Sequence, residues 1–196
     1  MNRRSLLMLA AITGLMLVAP VASAGDSPEG FIKDRQAKLA GLLKAKASDS
    51  KIEAVFDEML DYDTLGKESL GKHWDDRSAE ERREFQTVLK RLVRNAYRKN
   101  LKKTLDYDVS YKGEGKARAG TLVRTVATSR ANKREEPVAI DYLIHKVDGK
   151  WRVYDITTEG SSLTRNYRSQ FNRVIKKKGF AELMRRMKSK LDKEDA

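Results

Sequence analysis

The chain of 196 residues contains no cysteine and only two histidines. Without cysteine, disulfides, thiolate metal ligands and thiol catalysis are all excluded. The two histidines, His73 and His145, have no HExxH context and no paired-ligand spacing, so we expect both to be structural. There is also no G-x-S-x-G nucleophile elbow. These absences favour a protein that is not an enzyme, and we expect neither a metal nor a cofactor.

Acidic residues are clearly fewer than basic residues. The chain carries 41 Lys and Arg against 28 Asp and Glu, a formal net charge of +13. Such a balance predicts anionic partners, namely a membrane surface, a nucleic acid or an acidic protein. The basic residues are densest from Arg173 to Lys190. This run has two interpretations, a solvated helix face or a surface that contacts anionic headgroups or an acidic partner.

The first residues predict export. Arg3 and Arg4 precede an apolar run from Leu6 to Val18, and small residues at 22 and 24 complete a cleavage pattern. The run is shorter than the roughly 20 residues that span a bilayer. We therefore expect residues 1–24 to be a signal peptide and residues 25–196 to form one periplasmic domain. Export argues against a nucleic-acid partner.

The first half of the mature chain shows helical periodicity, from residue 28 to about residue 105. Ser48, Asp49 and Ser50 are alternative N-caps for a helix within it. Ser78 and Glu81 match a capping box, which predicts the start of a long amphipathic helix.

The second half, residues 107–158, alternates between apolar and polar residues as antiparallel strands do. Residues 113–116 are predicted to form a turn, and Asp148-Gly149 a tight hairpin. A helix is predicted to begin at Ser161 or Ser162 and to stop at Gly179. A last helix follows over residues 180–191, and then a short disordered tail.

Helices followed by strands indicate an α+β fold, with helices packed around a curved antiparallel sheet of about four strands. The last two predicted strands carry apolar groups on both faces, whereas a half-exposed strand has one polar face. This pattern has two interpretations. Helices cover both faces of the sheet, or part of its surface lines an apolar cavity.

Several segments resemble the MlaC family, the toluene-tolerance proteins of a phospholipid ABC transport system. The segments are LGKHW at 70–74, SAEER at 78–82, IDY at 140–142, DGKWRVYDI at 148–156, EG at 159–160, SL at 162–163 and NYRSQF at 166–171. Their order and spacing match through nearly the whole mature chain. Ser161 departs from the pattern, since a small aliphatic residue is common there. A hopanoid-associated branch shares the pattern, so the resemblance indicates the family more firmly than the cargo.

The resemblance implies an apolar pocket between helices and sheet that holds the acyl chains of a phospholipid while the headgroup stays outside. It implies a periplasmic carrier that shuttles lipid between an outer-membrane lipoprotein complex and an inner-membrane ABC complex, which maintains outer-membrane lipid asymmetry. The phospholipid is then cargo, an anionic membrane surface is a further partner, and we expect a monomer. The alternatives are a basic periplasmic interaction module with a solid core and a hopanoid-type carrier.

Strand alternation and helix position give the candidate pocket-lining residues. Each of them has the alternative interpretation of an ordinary core residue. They are Val123, Val126, Ile140, Tyr142, Ile144, Val153 and Tyr154 on the strands, Phe56, Tyr97 and Leu101 on the helices, and Tyr167 and Phe171 on the C-terminal side. Arg168 is expected to be a structural anchor that makes ion pairs or hydrogen bonds.

Overall fold

The computed structural model describes residues 27–195, so the predicted signal peptide lies outside the described residues. Within them, the chain runs through four helices, a five-stranded sheet and a final long helix. The helices are α1 (Pro28–Lys44), α2 (Asp49–Met59), α3 (Tyr62–Leu70), α4 (Ala79–Thr104) and α5 (Leu163–Asp195), with a 3-10 turn at Gly71–His73. The strands are β1 (Tyr107–Ala117), β2 (Gly120–Ser129), β3 (Val138–Val147), β4 (Lys150–Thr158) and β5 (Ser161–Ser162).

Side-chain caps set the starts of several helices. Ser27 accepts a hydrogen bond from the backbone amide of Gly30, which begins α1. The predicted capping box of α4 is confirmed in both directions, because Ser78 N–H donates to the Glu81 carboxylate and Glu81 N–H donates to the Ser78 hydroxyl. Such a cap satisfies two amides that the first helical turn would leave unpaired. Ser48 flanks α2 without a side-chain cap bond.

The sheet is an antiparallel meander in which every strand pairs with its neighbour in the chain, in the order β1-β2-β3-β4-β5. It is curved and does not close on itself. The pairing confirms the α+β prediction, and the short strand β5 adds one strand to the four expected. A register shift between β3 and β4 leaves Tyr154 as the extra residue of a bulge. Val153 and Tyr154 are both buried.

The predicted turn at residues 113–116 is wrong. β1 continues through this segment to Ala117, and the chain reverses at Arg118 and Ala119. Gly113 lies in a β-bulge instead, since the register with β2 shifts between Tyr111 and Glu114. Gly113 has φ +85°, a conformation that glycine adopts without the steric cost of a side chain.

Helix α5 is interrupted at Gly179, where the backbone is non-helical, as the sequence predicts. The helix then continues to Asp195, into the segment for which a disordered tail is predicted. Lys190 and Glu194, one turn apart, lie 4.0 Å from each other in that last stretch. Pairs at this spacing support a helix by a few tenths of a kcal/mol, roughly 0.2–0.5.

A single apolar cluster joins all five helices to one face of the sheet. Helix α1 contacts β1 and β2, while α2, α3 and α5 contact β4. The most enclosed side chains of the cluster come from α1 to α4 and the three central strands, among them Ile32, Leu65, Phe85, Val123 and Ile144. The helices therefore form one layer over the concave sheet, and the candidate site lies between the two layers.

Candidate functional site

The sheet face that meets the helices carries most of the candidate strand residues. Val123 is paired with Tyr142, and Ile144 with Val153. Because paired residues share a face and alternate residues along a strand return to it, these four side chains point the same way. Ile140 joins them two residues before Tyr142. Val123 and Ile144 have no exposed surface, whereas Ile140 is half-buried.

The candidate residues on the helices form two aromatic stacks opposite that face. Phe56 of α2 stacks on Tyr97 of α4, with ring centroids 5.0 Å apart. Tyr167 stacks on Phe171 in α5 at 5.3 Å. Leu101, near the end of α4, is buried in the same cluster. Stacked aromatic pairs of this kind contribute about 0.5–1.5 kcal/mol beyond the area that they bury.

Tyrosine hydroxyls gather in the interior between the two layers. Burial raises the pKa of Tyr97, and the nearby hydroxyls of Tyr142 and Tyr167 raise it further. Burial also raises the pKa of Tyr142 and of Tyr167. Tyr97 and Tyr167 nevertheless retain accessible surface. These two rings are therefore only partly covered by the residues packed around them.

A polar bridge joins α1 to the sheet at the edge of this interior. The side-chain amide of Gln36 donates to the hydroxyl of Tyr142 at 2.9 Å. The hydroxyl of Tyr111 in β1 donates in turn to the Gln36 side-chain oxygen. Lys33, one turn before Gln36, lies over the Tyr111 ring with its ammonium 4.6 Å from the ring centroid. The bridge ties the first helix to two strands.

Sequence reasoning missed Gln36 and Tyr111 as members of this region. A signal was present, since Gln36 follows Ile32 by four residues and so interrupts the apolar face of α1. A polar side chain at a core-facing position needs a hydrogen-bond partner. The sequence does not identify that partner, because Tyr142 lies more than 100 residues away.

The structure does not bring Val126 and Tyr154 together with the other candidates. Val126 pairs with Ala139. Because side chains alternate along β2, Val126 points away from the face that carries Val123 and Thr125, and so lies on the face of the sheet opposite the helices. The Tyr154 ring packs against His145, with centroids 4.8 Å apart. His145 neighbours Ile144 in β3 and therefore also points to the opposite face.

The surface of the described chain includes two clefts that none of the candidate pocket-lining residues lines. The first, about 480 Å³, lies between α3, α4 and the β3–β4 hairpin and has both acidic and basic walls. The second, about 410 Å³, lies between the corner after α3 and the start of α5. It is lined by Leu70, Gly71, Lys72, His73, Arg165, Arg168, Ser169 and Asn172.

Both histidines make hydrogen bonds in the structure. His73 Nε2 lies 2.9 Å from the side-chain oxygen of Asn172, and His145 Nε2 lies 2.7 Å from the carboxylate of Asp61. Among residues 27–195, no group of three or more His, Asp or Glu side chains is arranged to hold a metal ion. In the same part of the chain, no helix combines the length and the apolar character needed to cross a bilayer.

Comparison with known proteins agrees with this architecture. The chain is similar to a solved structure described as the phospholipid-binding protein from Ralstonia solanacearum in complex with a phospholipid, with a TM-score of 0.73 and 23% sequence identity. The similarity covers 86% of this chain and 98% of that chain, and at this identity it shows the fold. No curated protein sequence matches the chain. The family described as MlaC protein matches residues 31–189, and the chain therefore belongs to the MlaC family.

Proposed function

We propose that this protein is a periplasmic carrier that binds a phospholipid and shuttles it between an outer-membrane and an inner-membrane complex. The observation that carries the proposal is the interior between helices and sheet, where one apolar face of the strands meets two aromatic stacks from the helices. Two further facts support it. The chain belongs to the MlaC family, and the Ralstonia protein of the same fold is described as a complex with a phospholipid.

The physics of lipid transfer explains why such an interior is needed. The two acyl chains of a phospholipid contain on the order of 30 methylene groups, and each costs about 0.8 kcal/mol in water. A carrier that shields both chains from water during passage through the periplasm therefore avoids an unfavourable free energy on the order of 20 kcal/mol. An apolar space with no reactive groups is sufficient for this task.

The acyl chains would lie between the two layers, against residues that share one side of the interior. The sheet would contribute Val123, Ile140, Tyr142, Ile144 and Val153. The helices would contribute Phe56, Tyr97, Leu101, Tyr167 and Phe171. The phosphate would remain at the surface, because a buried and unpaired phosphate charge costs far more than the contacts it gains.

The bridge from Gln36 to Tyr142 and Tyr111 suggests how the interior opens. Lipid uptake would require the layers to separate along α1, which contacts the sheet through β1 and β2. A hydrogen bond of this kind contributes about 1 kcal/mol. Its loss on opening is therefore small compared with the apolar energy that a bound lipid supplies.

A second candidate function is a basic interaction module with a solid core. The close packing of Val123, Ile144 and Val153, each at most 1% exposed, favours it. The two candidates differ in one measurable respect, since only a carrier co-purifies with lipid. A hopanoid-type cargo is the other alternative, and it is distinguished by the mass of the extracted ligand.

The test is native mass spectrometry of the protein purified from the periplasm, followed by lipid extraction. A mass excess that is released as phospholipid supports the carrier, and its size gives the number of acyl chains. A protein that stays at its apo mass after purification and after incubation with phospholipid vesicles would contradict the proposal and favour the interaction module. N-terminal sequencing of the same sample tests cleavage after Ala24.

A further inference from the structure

The charged side chains that line the second surface cleft are all basic. Its walls carry Lys72, Arg165 and Arg168 and include no carboxylate. The polar groups of His73, Ser169 and Asn172 complete the lining, and its volume is about 410 Å³. Two segments that are distant in the chain, the corner after α3 and the first three turns of α5, meet to form it. The cleft lies apart from the proposed acyl-chain interior, since none of the candidate pocket residues lines it.

Arg168 forms the fixed wall of this cleft. Its Nε donates to the backbone oxygen of Glu68 at 2.6 Å, and its terminal nitrogen donates to the Glu68 carboxylate. The arginine stem lies across Gly71, where a Cβ would come within 3.0 Å of it. Glu68 also pairs with Arg118 at 2.9 Å. Arg168 therefore acts as the structural anchor that the sequence predicts, with its charge already compensated.

Lys72 and Arg165 are the cations of the cleft that no carboxylate compensates. Both are exposed. Within residues 27–195, neither makes an ion pair, and Arg165 has only a backbone acceptor, the oxygen of Gly160 at 3.1 Å. His73 contacts Asn172 through the side-chain oxygen of the asparagine, which leaves the Asn172 amide N–H groups to donate elsewhere. The cleft thus combines two uncompensated charges with neutral donors.

The basic surface continues along α5 beyond the cleft. Arg173 and Lys176 follow Arg165 at spacings of eight and eleven residues, which keeps them on or next to the same side of the helix, and Lys177 lies about a third of a turn further round. No ion pair of these three is found in the described part of the chain. The basic residues past Gly179 differ, because Arg185 and Arg186 pair with Glu182 and Lys188 pairs with Glu84. Among the described residues of α5, the cations without an ion pair are therefore concentrated before Gly179, in the half of the helix that forms the cleft.

We propose that this cleft is a binding site for a phosphate-type oxyanion, held by Lys72 and Arg165. The chemistry of the site favours this class of ligand. A phosphate has several acceptor oxygens and needs both charge compensation and directional donors, and arginine is suited to bind two of those oxygens at once. The hydroxyl of Ser169 and the amide of Asn172 supply the neutral donors. The phosphate can belong to a free ion or to a lipid headgroup at a membrane surface.

The direct test is a titration of ¹⁵N-labelled mature protein with inorganic phosphate, against sodium chloride at the same ionic strength. We expect saturable shifts of the amide signals of Lys72, Arg165, Ser169 and Asn172 that chloride does not produce. The double variant Lys72→Gln/Arg165→Gln should bind phosphate about 10-fold more weakly or worse, because two charge-assisted contacts are lost. Arg168 is left intact in this variant, since it anchors the fold.

The matched control removes the same charge far from the cleft. Lys112→Gln/Lys150→Gln changes two exposed lysines of β1 and β4 for which no ion pair is found among the described residues. It should change phosphate affinity less than about 2-fold, the effect of net charge alone. If the wild type shows no saturable shifts at the cleft, or if both double variants lose affinity equally, the proposal is overturned.

Vesicles distinguish the two sources of phosphate. Co-sedimentation compares vesicles of phosphatidylcholine with vesicles that contain phosphatidylglycerol. Binding to the anionic vesicles that is lost in Lys72→Gln/Arg165→Gln and kept in the control assigns the site to headgroups. Binding of free phosphate with no such difference on vesicles assigns it to a soluble ion. The readout does not depend on lipid in the interior, so the proposal can fail or succeed independently of the carrier function.

Discussion

The side-chain amide of Gln36 in α1 donates a hydrogen bond to the hydroxyl of Tyr142 in β3, and the two atoms are 2.9 Å apart. This bond connects the first helix to the centre of the sheet, at the edge of the interior proposed to hold acyl chains. Tyr111 donates to the same glutamine from β1. The bridge is therefore a polar contact between two otherwise apolar layers. Its removal should make it easier for α1 to separate from the sheet.

Tyr142→Phe removes the hydroxyl and leaves the ring in place. The free energy of unfolding should fall by about 1 kcal/mol, the net value of one such bond. Transfer of a fluorescent phospholipid between the protein and vesicles should become faster, because α1 is held to the sheet less firmly. Tyr107→Phe is the control, since that hydroxyl donates to Glu135 on the surface. Unchanged transfer rates in Tyr142→Phe would argue against an opening along α1.

The two faces of the sheet can be tested with one substitution. Ile140→Asp puts a carboxylate on the face that meets the helices, and Val126→Asp puts the same group on the opposite face. Both residues are half-buried, so the introduced carboxylate should have similar access to solvent in the two variants. Lipid recovered from the purified protein should fall at least about 10-fold in Ile140→Asp, because a charge in an acyl wall is strongly unfavourable. It should change little in Val126→Asp. Equal losses in both variants would place the lipid elsewhere.

Much of the fold follows from local sequence signals. The capping box of Ser78 and Glu81, the strand alternation and the hairpin at Asp148-Gly149 each depend on residues close together in the chain, and all three appear in the structure. The candidate site follows only in part. Val123 and Val126 are three residues apart in β2, so alternation puts them on opposite faces, and which of the two meets the helices depends on how β2 pairs with β3. Register is a long-range property that alternation within one strand does not determine.

Bulges and long-range hydrogen bonds account for the remaining differences. The glycines near Gly113 indicate either a turn or a bulge, and the length of β1 decides between them only once its pairing with β2 is known. Gln36 illustrates the same limit, because its partners come from β1 and β3. The sequence marks such positions as unusual but does not identify the partner.

Asp61 links a helix cap to a histidine. Its carboxylate accepts from the backbone N–H groups of Asp63 and Thr64, which caps α3, and it contacts His145. Burial opposes the charged form, but the hydrogen bonds from Thr64 and His145 outweigh it and hold the pKa of Asp61 below its ordinary value of 3.8. A carboxyl group with a lowered pKa stabilises the fold fully above its unfolded value. That contribution is lost as the pH falls through the lower, folded value.

Two variants separate the cap from the charge. Asp61→Ala should lower the free energy of unfolding at neutral pH by about 1 kcal/mol or somewhat more, since the cap is lost. Asp61→Asn keeps an N-capping side chain but has no titrating carboxyl. Its stability should therefore fall less steeply than that of the wild type when the pH drops below about 4. Urea unfolding at several pH values measures both effects. If the free energy of unfolding falls equally with pH in Asp61→Asn and in the wild type, the Asp61 carboxylate does not make the proposed pH-dependent contribution to stability.

Gly71 and Gly41 should respond in opposite directions to the same change. Gly71 has φ +55°, and an added Cβ would come within 3.0 Å of the Arg168 side chain. Gly71→Ala should therefore destabilise the protein by roughly 1–2 kcal/mol, the cost of a left-handed conformation for a residue with a side chain. Gly41 lies within α1, and nothing lies within 4 Å of its added Cβ.

Gly41→Ala should stabilise the protein by about 0.5–1 kcal/mol, because alanine loses less conformational entropy in a helix. Thermal unfolding of Gly71→Ala, Gly41→Ala and the wild type shows whether each substitution lowers or raises the stability. Arg168 spans from Gly71 to Glu68, so the Gly71→Ala loss should shrink when Arg168 is also shortened to alanine. A loss of the same size in both backgrounds would mean that backbone strain alone, without the contact to Arg168, accounts for the need for glycine at this position.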